Sequence, residues 1–211
     1  MRGEGVAVAV LSLLLFFCLP VYATPASDFV ALLNQTHTMR ADIVQTMKNQ
    51  HNSVTQVAYG KMALMRPYQF RWEILKPIPQ LVIVNNQEII VYDSDLAQVT
   101  MRTLHATALS GTLFLSASAA DIEQSYIVTS LQEDAAHRVW FLLKPRHTND
   151  ATFSSIAVGF LKGELQAMRL EDHLGHVSVI ELKHVQKNIA LPRGLFAFKI
   201  PKQVDVIDER Q

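Results

Sequence analysis

Residues 60–74 alternate in a way that few folds can accommodate. Met62 and Leu64 fall on one side of the chain, with Lys61 and Ala63 on the other. After Arg66-Pro67, the residues Phe70, Trp72 and Ile74 share one side, and Gln69, Arg71 and Glu73 share the other. Period 2 on both sides of a break predicts two half-buried antiparallel strands. Pro67 suits the turn between them, where its fixed φ helps and its missing N–H is not needed. Arg66 then stands at the junction, beside an apolar face that carries two aromatic rings.

The segment before this unit has a different character. Residues 1–23 carry Arg2 near the start, an apolar run from Val6 to Leu19, and Val21-Tyr22-Ala23 at the end. That is the pattern of a cleaved secretory signal, and the run is shorter than the roughly 20 apolar residues of a membrane-spanning helix. Cys18 is the single cysteine of the chain. Phe16-Phe17 precede it where a bacterial lipoprotein signal places a small residue, which argues against acylation. Cleavage of the 211-residue chain after Ala23 leaves 188 residues, starting at Thr24 and without a thiol. A chain of that length forms one domain with a sizeable core, here without disulfides.

The 19 basic and 19 acidic residues balance. No basic stripe points to nucleic acid. There is no Gly-x-Ser-x-Gly elbow, phosphate loop or dinucleotide fingerprint. The sequence therefore predicts no enzyme, no cofactor and no metal. His173 and His176 flank a turn beside Glu171 and Asp172 and are the one pair spaced to hold a metal weakly; solvated turn histidines are the plainer reading.

Apolar residues at Phe29, Leu32 and Leu33 predict a short helix over 28–36, capped by Ser27 or Asp28. Strands are expected over 39–50 and 54–65, with Ala41 and Ile43 on one side of the first. A hairpin over 80–92 turns at Asn85-Asn86, residues that tolerate φ > 0. Another strand covers 98–102. Residues 107–124 break the alternation, and Leu109, Leu113 and Phe114 predict two short helices lying across a sheet face. Strands resume over 126–132, 138–144, 153–161, 164–171, 177–185 and 196–200. The count is about eleven, nearly all antiparallel, in a mostly β fold with a few helices. A sheet that long curls, into a half-barrel or a closed barrel.

Gly60, Arg66-Pro67, Phe70-Arg71-Trp72, Pro77, Leu81–Val84, Tyr92-Asp93 and Leu96-x-Gln98-Val99 follow one another in an order and spacing that resembles the LolA family of periplasmic lipoprotein carriers. The closing Phe196-x-Phe198-x-x-Pro201 echoes the same family. The resemblance implies an open half-barrel with a helical lid over its concave face. It implies a soluble periplasmic chaperone, monomeric, that holds the acyl chains of lipoproteins. Its partners would be an inner-membrane ABC transporter that loads it and an outer-membrane lipoprotein receptor that unloads it. A sensor or binding module of the same fold, without a transport role, is the alternative.

On this resemblance Arg66 is the lid latch rather than a surface arginine. Its five N–H donors would hold backbone carbonyls of the lid. Ile43, Met62, Leu64, Phe70, Trp72 and Ile74 form the acyl-chain cavity, and Phe29, Leu32, Leu33, Leu109, Leu113 and Phe114 the lid. Met39, Met62, Met65, Met101 and Met168 are candidates for an adaptable lining.

Overall fold

A computed structural model describes residues 24–86, 88–104, 111–147 and 151–210. The signal-peptide segment with Cys18, and Leu109 of the predicted lid, lie outside the described residues.

Twelve strands form one strongly curved, open sheet in the order β12-β6-β5-β4-β3-β2-β1-β11-β10-β9-β8-β7. In chain order they are β1 (Thr38–Lys48), β2 (Val54–Met65), β3 (Gln69–Lys76), β4 (Gln80–Asn85), β5 (Glu88–Asp93), β6 (Gln98–Thr103), β7 (Tyr126–Ser130), β8 (Val139–Pro145), β9 (Phe153–Leu161), β10 (Glu164–Asp172), β11 (Val177–Lys187) and β12 (Asp205–Asp208). Every pairing is antiparallel except β12 on β6. The predicted alternation of β3 is observed: Phe70, Trp72 and Ile74 are buried and the residues between them are not.

Across β2 and β3, Leu64 faces Phe70, Met62 faces Trp72 and Gly60 faces Ile74. Gly60 is required by close approach. A Cβ there would lie 2.1 Å from the carbonyl oxygen of Glu73 on the neighbouring strand, at a register shift between Tyr59 and Gly60.

Helix α1 (Pro25–Asn34) and helix α2 (Ala119–Ser125) pack beside each other and against β7. A 3-10 turn over Leu113–Ser116 precedes α2. α1 starts earlier than the sequence reading placed it. Thr24, not Ser27 or Asp28, is the cap; it forms a reciprocal capping box with Ser27, and Pro25 opens the first turn, where it has no intrahelical N–H to lose. Phe29 of α1 sits among Phe114, Phe141 and Phe160 at ring-centroid separations of 6.3, 5.4 and 6.0 Å. This aromatic cluster joins the lid to the inner face of β8 and β9.

Three other expectations need correction. Residues 196–200 are not a strand. Arg193–Phe196 is a 3-10 turn, and the Phe198 ring packs at a tilt against Tyr92, 5.5 Å between centroids. Phe198 and Val204 of this C-terminal tail pack against a second apolar cluster of Ile83, Ile90, Val99 and Met101. Those residues are out of phase with the inner-face row of β4 and β5, so Met101 faces the tail on the outer side and does not line the interior. The β4–β5 hairpin does not turn at Asn85, which is still paired, with Glu88; Asn86 opens the turn, with φ +57.

Candidate functional site

The β2–β3 turn presents Arg66 and Tyr68 to the lid. The Arg66 backbone N–H donates to His37 O at 2.8 Å, which fixes where its side chain starts. Its Nη2 donates to the carbonyl of Ala117 at 2.6 Å. Ala117 follows the 3-10 turn and is fully buried. Arg66 Nη1 is buried and has no partner among the described residues. Burial holds the Arg66 pKa below its ordinary value of 12.5, because desolvation disfavours the charged form.

Tyr68, at φ +58, contributes more contacts to the same segment. Its N–H donates to Ser116 O at 2.8 Å, and its carbonyl accepts from Asn86 N at 2.8 Å. Its hydroxyl donates to Asp121 Oδ2 at 2.5 Å. The Ser118 hydroxyl and backbone N–H donate to that same oxygen. Burial pushes the Asp121 carboxyl up, but the hydrogen bonds from Ser118 and Tyr68 outweigh it and leave the pKa below its ordinary 3.8. The sequence reading missed Tyr68. Turn positions carry no period, and only the Ser118-x-x-Asp121 spacing, a cap pattern, marked the other end of the contact.

Between the lid and the inner face lies an open cavity of about 710 Å³. Phe70, Trp72 and Ile74 of β3 line it, with Val82, Ile89, Val91, Leu170 and Ile180 from neighbouring strands. Leu113, Phe153 and Gly111 close one side. Gln45, Gln56, Gln80 and Ser178 add polar groups to the lining, and Met47 lies among them. Of the six expected cavity residues, Phe70, Trp72 and Ile74 reach this space. Ile43, Met62 and Leu64 share the inner face but are packed into the closed core. Leu64 borders a void of only about 10 Å³, together with Arg66, Leu32, Leu33 and Met39.

Among the expected lid residues, Phe29, Leu33 and Phe114 are buried, Leu32 packs at that void, and Leu113 faces the large cavity. Met39, Met62 and Met168 are buried in the main cluster. Met65 is out of phase with them, opposite Thr38 and Gln69. Met47, which the sequence reading did not single out, is the methionine that lines the cavity.

His173 Nε2 contacts the carbonyl of Ala151 at 2.9 Å, and His176 Nδ1 contacts Asp172 Oδ2 at 2.8 Å. The two rings are thus engaged by different groups. Among the described residues no cluster of three or more His, Cys, Asp or Glu is placed to hold a metal, and no helix is long and apolar enough to cross a membrane.

Comparison with known proteins bears on this geometry. Residues 34–199 match the family described as outer membrane lipoprotein carrier protein LolA. An outer-membrane lipoprotein carrier protein of Nitrosospira multiformis is 37% identical over 198 residues, spanning 92% of this chain and 94% of that one. Another, of Methylobacillus flagellatus, is 31% identical over 210 residues, spanning 99% and 100%. Among solved structures, an uncharacterized conserved protein from Thermus thermophilus superposes with a TM-score of 0.58 at 11% identity, covering 88% of this chain and 100% of that one; that likeness speaks for the fold alone. The matched region includes the Arg66 turn, the strand bearing Phe70 and Trp72, and the Leu113–Ser125 segment they hold, and on these matches the chain belongs to the LolA family of outer membrane lipoprotein carrier proteins.

Proposed function

We propose that this protein is a periplasmic chaperone that binds the acyl chains of lipoproteins in its cavity and carries them from the inner to the outer membrane. The observation that carries the reading is the cavity of about 710 Å³, floored by Phe70, Trp72 and Ile74 beneath a segment tied down by Arg66. A soluble carrier of lipid needs an apolar interior that water does not reach when full and a cover that moves. The cover here is held by hydrogen bonds from the β2–β3 turn and by the aromatic cluster around Phe29, contacts between side chains and loops that can part without unfolding the sheet.

Arg66 is the latch. Its Nη2 contact with the Ala117 carbonyl favours the closed, empty state, and breaking it admits cargo. An inner-membrane ABC transporter would load the protein and an outer-membrane lipoprotein receptor would unload it. The mature chain would start at Thr24, after removal of residues 1–23 as a signal peptide, and act as a monomer without metal or cofactor.

The test is direct. The purified mature protein is added to spheroplasts, and the supernatant is assayed for lipoprotein. A soluble one-to-one complex is expected. Lipoprotein that stays with the membrane in the presence of the wild-type protein would overturn the reading.

A further inference from the structure

Among the described residues that line the cavity, Arg102 is the single charged one. Its position in the sheet is defined by register. Leu64 faces Phe70 across β2 and β3, Phe70 faces Val84, Val84 faces Ile89 and Ile89 faces Arg102. This cross-strand row is apolar from Leu64 to Ile89 and ends on a guanidinium. Strands lie about 4.8 Å apart, so Arg102 stands about 14 Å from Phe70 along the row. Among the described residues, the four-residue β12 is the one strand beyond β6, so the charge sits near the rim of the sheet, and its side chain is exposed.

Arg102 is also held in place. Its Nε donates to Glu209 Oε2 at 2.7 Å, and Glu209 is anchored in turn by its N–H to the carbonyl of Met101 at 2.8 Å. The ion pair uses Nε and neither Nη. A guanidinium paired through Nε, with terminal N–H groups at the edge of an apolar track, suits an acceptor attached to a hydrocarbon chain.

We propose that Arg102 binds the ester carbonyls of the acyl-glyceryl group, with the acyl chains lying along the row toward Phe70. The proposal rests on the carrier reading and adds to it a polar subsite that sets how deep the cargo sits. Its ligand class is the carboxylic ester of a long-chain diacylglyceryl thioether. Glu209 positions Arg102 and does not touch the cargo. Membrane phospholipids carry the same esters, so the two sources have to be separated by experiment.

The probes are a synthetic triacylated cysteinyl lipopeptide and its dialkyl-ether analogue, which has the same chains on the glyceryl group but no ester carbonyls there. Binding of each to the full mature protein is measured by titration. A hydrogen bond from a charged donor makes the wild type bind the ester form about tenfold more tightly. Arg102→Met should bind both forms alike, at the affinity of the ether form for the wild type. Glu209→Gln should keep a preference for the ester. A short-chain diacyl phosphatidylcholine is added as competitor, and no displacement is expected at a concentration equal to that of the lipopeptide.

An ester preference that survives in Arg102→Met, or that is missing from the wild type while both probes bind, overturns the Arg102 site and leaves the carrier reading standing. Loss of the preference in Glu209→Gln together with its survival in Arg102→Met would make the tail, and not the guanidinium, the determinant, and overturns it as well. Displacement by the phosphatidylcholine would make membrane lipid the ligand. Failure of the wild type to bind either probe would overturn the carrier reading and this site together.

Discussion

Arg66→Leu separates the latch from the rest of the fold. The substitution removes the bond from Nη2 to Ala117 O. A hydrogen bond from a charged donor contributes about 1.5–3 kcal/mol, and the loss also leaves a buried carbonyl without its donor. The wild-type residue, however, carries a defect of its own, because Nη1 is buried without a partner among the described residues. An unsatisfied buried donor costs about 1–3 kcal/mol, and leucine removes it. The two effects oppose, so the closed state should weaken by only about 1 kcal/mol, about a fivefold change in the open-to-closed ratio. Tyr68 still holds Ser116 and Asp121, so the lid stays attached. Hydrogen exchange reads this directly, since amides of residues 112–122 exchange through local opening. They should exchange about fivefold faster in the empty variant while strand amides stay unchanged. In the transfer assay the variant should load from spheroplasts but hand lipoprotein on poorly and accumulate as the loaded complex. If Arg66→Leu loads, unloads and exchanges like the wild type, the Arg66–Ala117 bond does not bias the lid and the latch is refuted.

Tyr68→Phe removes one hydroxyl and should lower stability by about 1 kcal/mol, read by urea denaturation, with lid amides affected most. Asp121 is held below its ordinary pKa of 3.8, so the folded state gains stability above about pH 4 and loses it as pH falls through the lower folded value; Asp121→Asn should flatten that part of the stability–pH curve, and an unchanged slope would count against the contact. Phe70→Glu places an unpaired carboxylate on the cavity floor; lipoprotein capture should be lost while the far-ultraviolet circular dichroism stays native, and normal capture would move the binding surface elsewhere. Gly60→Ala drives a methyl group against the Glu73 carbonyl, and thermal melting should show a loss of about 3 kcal/mol.

The inner face was legible because burial on a half-covered sheet has period 2, and β3 shows that period without interruption. Which part of that face is covered was not legible. Met62 and Leu64 have the same phase as Trp72 and Phe70, yet the first two lie in the closed core and the last two on the cavity. Phase gives a side of the sheet, and only the lid position divides that side. The C-terminal tail misled for a related reason. Phe196 and Phe198 alternate like a strand, but strand identity is made by backbone pairing. The pairing that exists runs from Asp205–Asp208 to β6, far back in the chain, through four exposed residues with no apolar alternation. The start of α1 was present in the sequence as Thr24-Pro25, a cap followed by a first-turn proline. The apolar stripe alone, which begins at Phe29, drew the boundary too late.

The division of the inner face also bears on how a carrier of this kind can release what it binds. Leu113 faces the cavity and its neighbour Phe114 is buried in the aromatic cluster with Phe29 and Tyr126. The cavity and the lid core therefore meet at the 3-10 turn, where successive residues face one and the other. On the proposed reading, lifting the lid would take Phe29 and Phe114 away from Phe141 and Phe160 and extend the cavity floor with the rings left behind. Burial of one 16-carbon chain is worth about 12 kcal/mol at full coverage, and three such chains would pass the ceiling near 18–21 kcal/mol seen for any non-covalent complex. Part of that gain must go into separating the aromatic cluster, whose ring pairs contribute about 0.5–1.5 kcal/mol each beyond their buried area. On the proposed reading, cargo and lid compete for the same rings. Capture replaces ring–ring contacts with ring–methylene contacts, and release restores them. The driving force for unloading is then the re-closure of the lid core, and the latch needs to supply only the small bias that Arg66 gives through its one bond to Ala117.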